Sequence, residues 1–222
     1  MFQKLHILHL KGYRPDVVLD LGAYKGEWTN TMRQHIFKDS VYHLFEPNKH
    51  QELANVCNVH NVLLSDGPGE VDWYSKGTTG DSMFREKTYI FNDCKIEKRP
   101  TIDMDSYTRN SGILNGMENI FMKIDCQGAE IPIIRGSKNV LEKTDFILME
   151  VPLFGNYNEG VSTFSEHVNF MESVGFVPYD FAGDHYMNGF NMQVDMLFIN
   201  KKHPWNKEVN EKIRHTLNVD GL

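Results

Sequence analysis

The sequence predicts an α/β fold built on a mostly parallel β-sheet, with helices on both faces and an antiparallel edge strand. Short apolar runs such as Val17–Leu21 and Ile120–Ile124 are typical of strands that are buried on both faces. These runs alternate with helical patterns at least four times, which indicates βαβ units. The last two runs, residues 176–181 and 196–200, have no helix between them, so we expect them to pair as an antiparallel edge.

Each predicted strand is a short run of apolar residues that ends at a polar residue or a turn. In chain order, the predicted parallel strands are residues 17–21, 41–45, 61–64, 120–124 and 146–149. Residues 70–75 follow the turn Gly67-Pro68-Gly69 and are predicted to form one strand of a hairpin.

The predicted helices occupy the intervals between these strands. In chain order they are residues 1–12, 27–37, 48–56, 102–108, 129–142 and 163–174, with a polar helical tail from Trp205. Gly12 and Gly175 end the first and last of the six, and Asn48 is predicted as an N-cap. Pro132 is compatible with a helix only in its first turn, which places a helix start near Ala129.

Length and composition predict one globular domain over residues 1–222, since 41% of the residues are hydrophobic and 24% are charged. Residues 76–100 carry many charges without a clear period and are predicted as an inserted loop or lid, with an oligomer arm as the alternative. The formal net charge of -7 disfavours nucleic acid as a partner and favours a neutral or cationic ligand. A homo-oligomer is left open.

Targeting signals are missing from the sequence pattern. It holds no run of 18 or more apolar residues, so no membrane span is expected, and the first residues do not resemble a signal peptide. Cys57, Cys94 and Cys126 are too scattered for a disulfide framework or a zinc site. A reducing, cytoplasmic location is the simplest interpretation.

Five carboxylates follow predicted strands at or just beyond the point where each strand ends: Asp20, Glu46, Asp66, Asp125 and Glu150. Because the carboxyl ends of parallel strands share one edge of a sheet, we expect these side chains to converge on one crevice. Any one of them has an alternative role as a cap of the following helix. The convergence of all five favours a ligand site.

The turn after the first strand contains Gly22 and Gly26, which allow backbone and ligand to approach closely. A dinucleotide site requires G-x-G-x-x-G, and the first G-x-G is absent here. Asp20 lies where a pyrophosphate would lie, and two anions repel each other in a crevice of low dielectric. A cofactor that lacks phosphate and carries positive charge is therefore favoured, and an NAD-dependent oxidoreductase or epimerase is the alternative.

S-adenosylmethionine has a sulfonium, an ammonium, a ribose and an adenine. Asp20 is placed to attract its cationic methionine end, and Glu46 to accept hydrogen bonds from both ribose hydroxyls. Ser65 and Asp66 are placed near the adenine edge.

Several segments resemble the FkbM-type methyltransferases over about residues 17–201. They are Asp20-Leu-Gly-Ala-x-x-Gly26, Phe45-Glu46-Pro47, Leu64-Ser65-Asp66, Lys123-Ile-Asp-Cys-Gln-Gly-Ala-Glu130 with Arg135-Gly136, and Met149-Glu150-Val151. Gln127 departs from the acid usual at its position. The candidate cofactor contacts within these segments are Asp20, Gly22, Ala23, Gly26, Glu46, Pro47, Ser65, Asp66 and Asp125.

The resemblance implies a Rossmann-like methyltransferase with a seven-stranded sheet and S-adenosylmethionine as donor. It further implies O-methylation, typically of hydroxyls on sugars or on glycosylated and polyketide-like products. A sugar or glycan acceptor is therefore expected. A non-catalytic nucleotide-binding module with the same fold is a further alternative.

Removing the proton of an acceptor hydroxyl requires a general base or a metal ion. Asp125 is the first candidate base, and Glu150 ends the next strand. Together these two are candidate ligands of Mg²⁺, Mn²⁺ or Ca²⁺, with helix capping by Asp125 as the alternative. His185, in a predicted loop beside Asp184, is a further candidate base or an ordinary surface residue.

Aromatic residues are candidates for stacking on a sugar face, with core packing as the alternative. These are Trp73, Tyr74 and Tyr157.

Overall fold

The computed structural model describes residues 1–54, 56, 58–156 and 158–219, with side chains up to residue 213. Cys57 and Tyr157 therefore lie outside the described residues. The strands are β1 (Val17–Leu21), β2 (Val41–Phe45), β3 (Val59–His60), β4 (Leu63–Ser65), β5 (Gly69–Ser75), β6 (Lys95–Asp103), β7 (Ile120–Ile124), β8 (Thr144–Pro152), β9 (Phe176–Met187) and β10 (Phe190–Asn200). The α-helices are α1 (Phe2–Leu10), α2 (Glu27–His35), α3 (Met104–Ser111), α4 (Glu130–Arg135), α5 (Lys138–Leu141), α6 (Phe164–Ser173) and α7 (Pro204–Val219).

Seven strands form one sheet in the order β3-β2-β1-β7-β8-β10-β9. The first five pair in parallel, and β10 is antiparallel to both β8 and β9. The predicted mostly parallel seven-stranded sheet with an antiparallel edge is confirmed. Its parallel strands end at one edge, where the candidate site lies.

Alternate residues of β1 pack on opposite faces of the sheet. Val17, Leu19 and Leu21 belong to a core cluster with side chains of α3, α4, α5 and α6. Val18 belongs to a second cluster with side chains of α1 and α2. Helices on both faces are thus confirmed, and β1 is fully buried between them.

The chain after β2 departs from the prediction. The strand that joins the large sheet there is Val59–His60, whereas the predicted strand 61–64 overlaps β4, which lies in a separate sheet with the order β4-β6-β5. Lys95–Asp103 is the central strand of that small sheet. The irregular part of the predicted insert 76–100 is therefore shorter and covers residues 76–94.

The predicted helix 48–56 is wrong for the described residues, which contain only a 3₁₀ turn at Gln51–Leu53. Asn48 does not act as an N-cap because its polar groups are used elsewhere. Its backbone N–H donates to Glu46 Oε1 at 2.9 Å, and its side-chain amide donates to Asp81 Oδ2 at 3.1 Å.

Two predicted helices are displaced or divided. The helix predicted at 102–108 begins later, at α3, because Asp103 is the N-cap and accepts from the N–H of Ser106 at 2.7 Å. The helix predicted at 129–142 divides into α4 and α5 at Gly136. A Cβ on Gly136 would lie 2.4 Å from the backbone oxygen of Ser65 in β4, so glycine lets the end of α4 lie this close to β4.

The last two strands are longer than predicted: β9 has twelve residues and β10 has eleven, and together they form a hairpin. Residue His185 consequently lies within β9 rather than in a loop. Among the described residues, no helix is both long and apolar enough to cross a membrane.

Candidate functional site

A cavity of about 530 Å³ opens at the carboxyl ends of β1, β2, β7 and β8. Its far wall is formed by the small sheet and loop 76–94, through side chains that include Trp73, Met83 and Phe91. Its volume and its place at the carboxyl edge of the sheet are typical of small-molecule sites in α/β proteins. The side chain of Trp73 is buried within this wall.

The turn after β1 brings backbone into the cavity at Gly22, which has φ +77°. A Cβ at this position would lie 1.9 Å from the carbonyl oxygen of Asp125, so only glycine lets the loops after β1 and β7 touch. Gly26 also has φ +77° and starts α2, but it packs against Leu53 and does not line the cavity. Ala23 is buried in the core of the α1/α2 face.

Asp20 is predicted to contact a cofactor, but its side chain is not among those that line the cavity. Its side chain is fully buried, accepts a 2.6 Å hydrogen bond from the hydroxyl of Thr29, and lies 3.2 Å from Lys123 Nζ. Asp20 and Lys123 are register partners on β1 and β7. A charged side chain in a buried strand requires such a partner.

Lys123 is a functional candidate that the sequence analysis missed. Its ammonium donates to the carbonyl oxygen of Gly22 at 3.0 Å and lies 3.6 Å from Asp125 Oδ2, besides its pair with Asp20. Burial alone would lower the pKa of Lys123, but Asp20 and Asp125 outweigh it and hold that pKa above its ordinary value. In the sequence, Lys123 stands out as the single charged residue in the apolar run of β7. It is the fourth residue of that strand, as Asp20 is the fourth residue of β1.

Glu46 lines the cavity directly after β2, as predicted. One carboxylate oxygen accepts the N–H of Tyr24 and the other the N–H of Asn48, both at 2.9 Å. Burial raises the pKa of Glu46, and these two hydrogen bonds oppose that shift. Oε1 also lies 3.6 Å from His50 Nε2, whereas Oε2 has only the N–H of Tyr24 as its partner among these contacts. Pro47 lines the cavity beside Glu46.

Asp125 and Glu150 both line the cavity, and Gln127 connects them. The Gln127 side-chain N–H₂ donates to Asp125 Oδ1 and to Glu150 Oε2, each at 3.0 Å. The predicted metal pair Asp125–Glu150 is thus bridged by an amide. Burial, followed by the nearby carboxylates of Asp125, Glu130 and Asp195, raises the pKa of Glu150 well above its ordinary value.

Glu130 stabilises the turn that carries these residues. Its buried carboxylate accepts the N–H of Cys126 at 2.9 Å and of Gly128 at 3.2 Å. Gln127 has φ +52°, which is unusual for a residue with a Cβ. Burial raises the pKa of Glu130 to about 7. The motif around Asp125 therefore combines a cavity-lining acid with a buried structural one.

Ser65 and Asp66 do not line the cavity. Ser65 is the last residue of β4 in the small sheet and Asp66 follows it, and both lie beside Gly136 at the end of α4. Their predicted contact with an adenine edge is not supported by this position. Their neighbours Leu63 and Leu64 line the cavity instead, opposite side chains of the turn after β7 and of α4.

His185 lines the cavity from β9, and its hydrogen-bond partner is Asp195 on β10 rather than its sequence neighbour Asp184. His185 Nε2 lies 3.0 Å from Asp195 Oδ2 and 3.9 Å from Glu150 Oε1. The hydrogen bond to Asp195 raises the pKa of His185. Asp195 is a single charged residue within an apolar run, as Lys123 is. The sequence analysis did not include Asp195 among the candidate site residues.

The cavity is strongly acidic. Among its described lining residues are five carboxylates and no lysine or arginine. The five are Glu46, Asp81, Glu86, Asp125 and Glu150. This lining attracts cationic ligands and repels polyanions such as a pyrophosphate.

The family profile described as methyltransferase FkbM domain matches residues 20–178 of this chain. No curated protein gives a significant sequence match. Among solved structures, the chain resembles 1,6-didemethyltoxoflavin-N1-methyltransferase of Burkholderia thailandensis, a structure that contains bound S-adenosylhomocysteine. The TM-score is 0.51 at 12% identity, covering 89% of this chain and 76% of the other.

A methyltransferase of Aquifex aeolicus, described as S-adenosylmethionine-dependent, gives a TM-score of 0.41 at 11% identity, with 87% of each chain covered. At 12% identity the likeness to the Burkholderia structure shows the fold alone. The family profile covers most of the chain.

Proposed function

This chain belongs to the methyltransferase FkbM domain family, and we propose that it is an S-adenosylmethionine-dependent O-methyltransferase acting on a hydroxyl group of a sugar or glycan. The observation that carries the proposal is the acidic cavity at the carboxyl edge of the sheet, with Glu46 held beside the Gly22 turn. A cationic donor without phosphate suits this lining better than a dinucleotide does.

The donor end of the cavity lies between Gly22, Glu46 and Pro47. The two backbone hydrogen bonds to Glu46 fix its carboxylate, and we propose that this carboxylate, Oε2 first, accepts hydrogen bonds from the ribose hydroxyls. S-adenosylmethionine supplies a methyl group activated by its sulfonium, and the electrons of the broken carbon–sulfur bond remain on the sulfur. The contribution of the chain is therefore to orient the reactants and to take a proton.

The acceptor end lies at Asp125, Glu150 and His185. An acceptor oxygen loses its hydroxyl proton as its bond to the methyl carbon forms, so a base must lie within hydrogen-bond reach. The Asp125 side chain is 39% exposed, lies beside Lys123 and is the group we propose as that base. Acidic walls favour a neutral acceptor over an anionic one, which is consistent with an uncharged sugar.

Calorimetry with S-adenosylhomocysteine tests the donor end. Replacement of Glu46 by Gln keeps the shape but removes the charge, and we expect the affinity to fall at least about tenfold. Glu52→Gln is the matched control, because Glu52 lies on the surface nearby and pairs with Lys25. Equal affinity in wild type and Glu46→Gln, or tighter binding of NAD(H) than of S-adenosylhomocysteine, would contradict the proposal.

A methyl-transfer screen over monosaccharides and oligosaccharides tests the acceptor end. On an active acceptor, Asp125→Asn is expected to lower kcat by about 100-fold or more, while the S-adenosylhomocysteine affinity changes less than about threefold. Wild-type turnover in Asp125→Asn would remove this residue as the base. Cofactor binding without transfer to any acceptor in a broad panel would favour a non-catalytic module.

A further inference from the structure

Three side chains from three neighbouring strands meet at the acceptor end of the cavity: Glu150 of β8, His185 of β9 and Asp195 of β10. One nitrogen or oxygen atom from each lies within 4.8 Å of the other two. The two separations involving His185 Nε2 are 3.0 Å and 3.9 Å. Two atoms bound to one ion at about 2.1 Å are about 3.0 Å apart at a right angle and at most about 4.2 Å apart.

The hydrogen bonds of Glu150 leave one of its oxygens directed to this cluster. Oε2 accepts from the side-chain amides of Gln127 at 3.0 Å and Gln193 at 2.9 Å. Oε1 is the oxygen that lies 3.9 Å from His185 Nε2, too far for a hydrogen bond. The residue is only 8% exposed, and outer hydrogen bonds that orient a buried carboxylate are characteristic of metal ligands.

The backbone beside Asp195 is shaped around its carboxylate. A Cβ on Gly183 of β9 would lie 2.4 Å from Asp195 Oδ2, so any other residue would displace the group. Asp195 is itself only 6% exposed. The cluster is thus built by the strand pair β9–β10 and is not a chance grouping of surface acids.

The carboxyl groups at this end of the cavity outnumber the cationic groups that face it. Glu150 and Asp195 meet one imidazole, and the carboxylate of Asp125 is held 3.0 Å from the Gln127 amide that also contacts Glu150. The ammonium of Lys123 is directed to Asp20, Asp125 and a backbone carbonyl. A divalent cation would balance the buried carboxylates.

We infer that Glu150, His185 and Asp195 form a binding site for one divalent transition-metal ion of the Mn²⁺ type. One imidazole and two carboxylates favour such an ion over Ca²⁺ and Mg²⁺, which prefer oxygen ligands alone. The ligand set differs from the predicted pair Asp125–Glu150, which leaves Asp125 as a base. The function of the ion, polarising the acceptor hydroxyl, rests on the proposed function, whereas the site itself does not.

Titration of the full chain with Mn²⁺, followed by the electron paramagnetic resonance signal of the free ion, tests the site without cofactor or acceptor. We expect one bound ion per chain. His185→Gln and Asp195→Asn should each weaken binding at least about tenfold, and Gly183→Ala should weaken it through displacement of Asp195. Asp184→Asn is the matched control because it removes a charge from the same strand outside the cluster, and it should change the affinity less than about twofold.

Absence of stoichiometric Mn²⁺ binding to the wild-type chain would overturn the site. Equal loss in Asp184→Asn and Asp195→Asn would also overturn it, since binding would then follow diffuse charge. His185→Gln guards against misfolding because the His185 side chain is 46% exposed. Calorimetry with S-adenosylhomocysteine on the same metal-free samples tests the proposed function separately. The metal site and the proposed function can therefore each be rejected independently.

Discussion

Lys123 lies beneath the cavity floor with its ammonium between Asp20 and Asp125. It joins the loops after β1 and β7 through the carbonyl of Gly22, so the buried pair stabilises backbone that lines the cavity. Sequence reasoning placed Asp20 in contact with the cofactor, because a strand-end acid next to glycines is typical of that role. The structure instead assigns Asp20 to its register partner, a relation visible only once the two strands are paired.

Replacement of Asp20 by Asn is expected to lower the free energy of unfolding by about 3 kcal/mol, because it leaves the buried Lys123 with less compensating charge. Chemical denaturation at pH 7 measures this. Asp72→Asn is the control, since Asp72 pairs with Lys98 at the surface and should cost less than about 1 kcal/mol. Similar losses in both variants would mean that the buried pair contributes no more than a surface one.

The side chain of Asp81 organises the first part of loop 76–94. The carboxylate of Asp81 accepts the backbone N–H groups of Lys76, Gly77 and Thr78 at 2.7, 3.1 and 3.2 Å. It also accepts from Asn48, which ties the loop to the chain after β2. We propose that the loop serves as a fixed wall of the cavity.

Asp81→Ala is expected to leave five hydrogen-bond donors around the loop without their acceptor and to loosen the segment. Limited proteolysis should then cut within residues 76–94 several-fold faster than in wild type, and the affinity for S-adenosylhomocysteine should fall. Asp93→Ala, in the same loop, is the matched control. Equal cleavage rates in all three proteins would show that Asp81 does not hold the wall.

The elements that sequence reasoning missed are those without a hydrophobic period. β6 buries only one of its nine residues and is held by ladder pairing to β4 and β5, so its run of charges was interpreted as a loop. The segment after β2 was interpreted as a helix because Asn48 is a good cap in isolation. Its side chain is instead recruited by Asp81 and Arg99, which are distant in sequence.

At the scale of the whole molecule, the alternation of apolar runs and helical patterns was sufficient to predict the large sheet, its two covered faces and its antiparallel edge. It was also sufficient to place Glu46, Asp125 and Glu150 at one cavity. It was insufficient for Asp195 and Gln127, because their positions depend on strand register and on a turn with positive φ. Local pattern therefore predicts which edge of the sheet carries the cavity, and tertiary pairing decides which side chains line it.

The stability of the molecule should depend on buried histidines. His43 Nδ1 lies 2.9 Å from His60 Nε2, whose ring in turn contacts the hydroxyl of Tyr107. Burial, and then the neighbouring His60, lowers the pKa of His43 to about 4 from an unfolded value near 6.5. Between these two pH values the unfolded chain binds more protons, so the free energy of unfolding falls as pH decreases from 6.5 to 4.

Replacement of His43 by Gln should remove on the order of 2 kcal/mol of that pH dependence, seen as a flatter curve of unfolding free energy between pH 4 and 6.5. Denaturation series at several pH values measure it, with the exposed His35→Gln as control. Parallel curves for wild type and His43→Gln would mean that His43 is protonated in the folded state.

The position of β10 between β8 and β9 bears on how the protein is made. Translation produces β9 before the strand that joins it to the sheet, so a nascent chain that ends before Phe190 leaves the edge of β8 unpaired. Six of the nine residues of β8 are apolar and eight are buried in the finished fold, and such an edge is prone to aggregation. Until β10 has been synthesised and has paired with β8 and β9, the nascent protein contains the Gly22 turn and Glu46 but lacks Asp195 at the cavity.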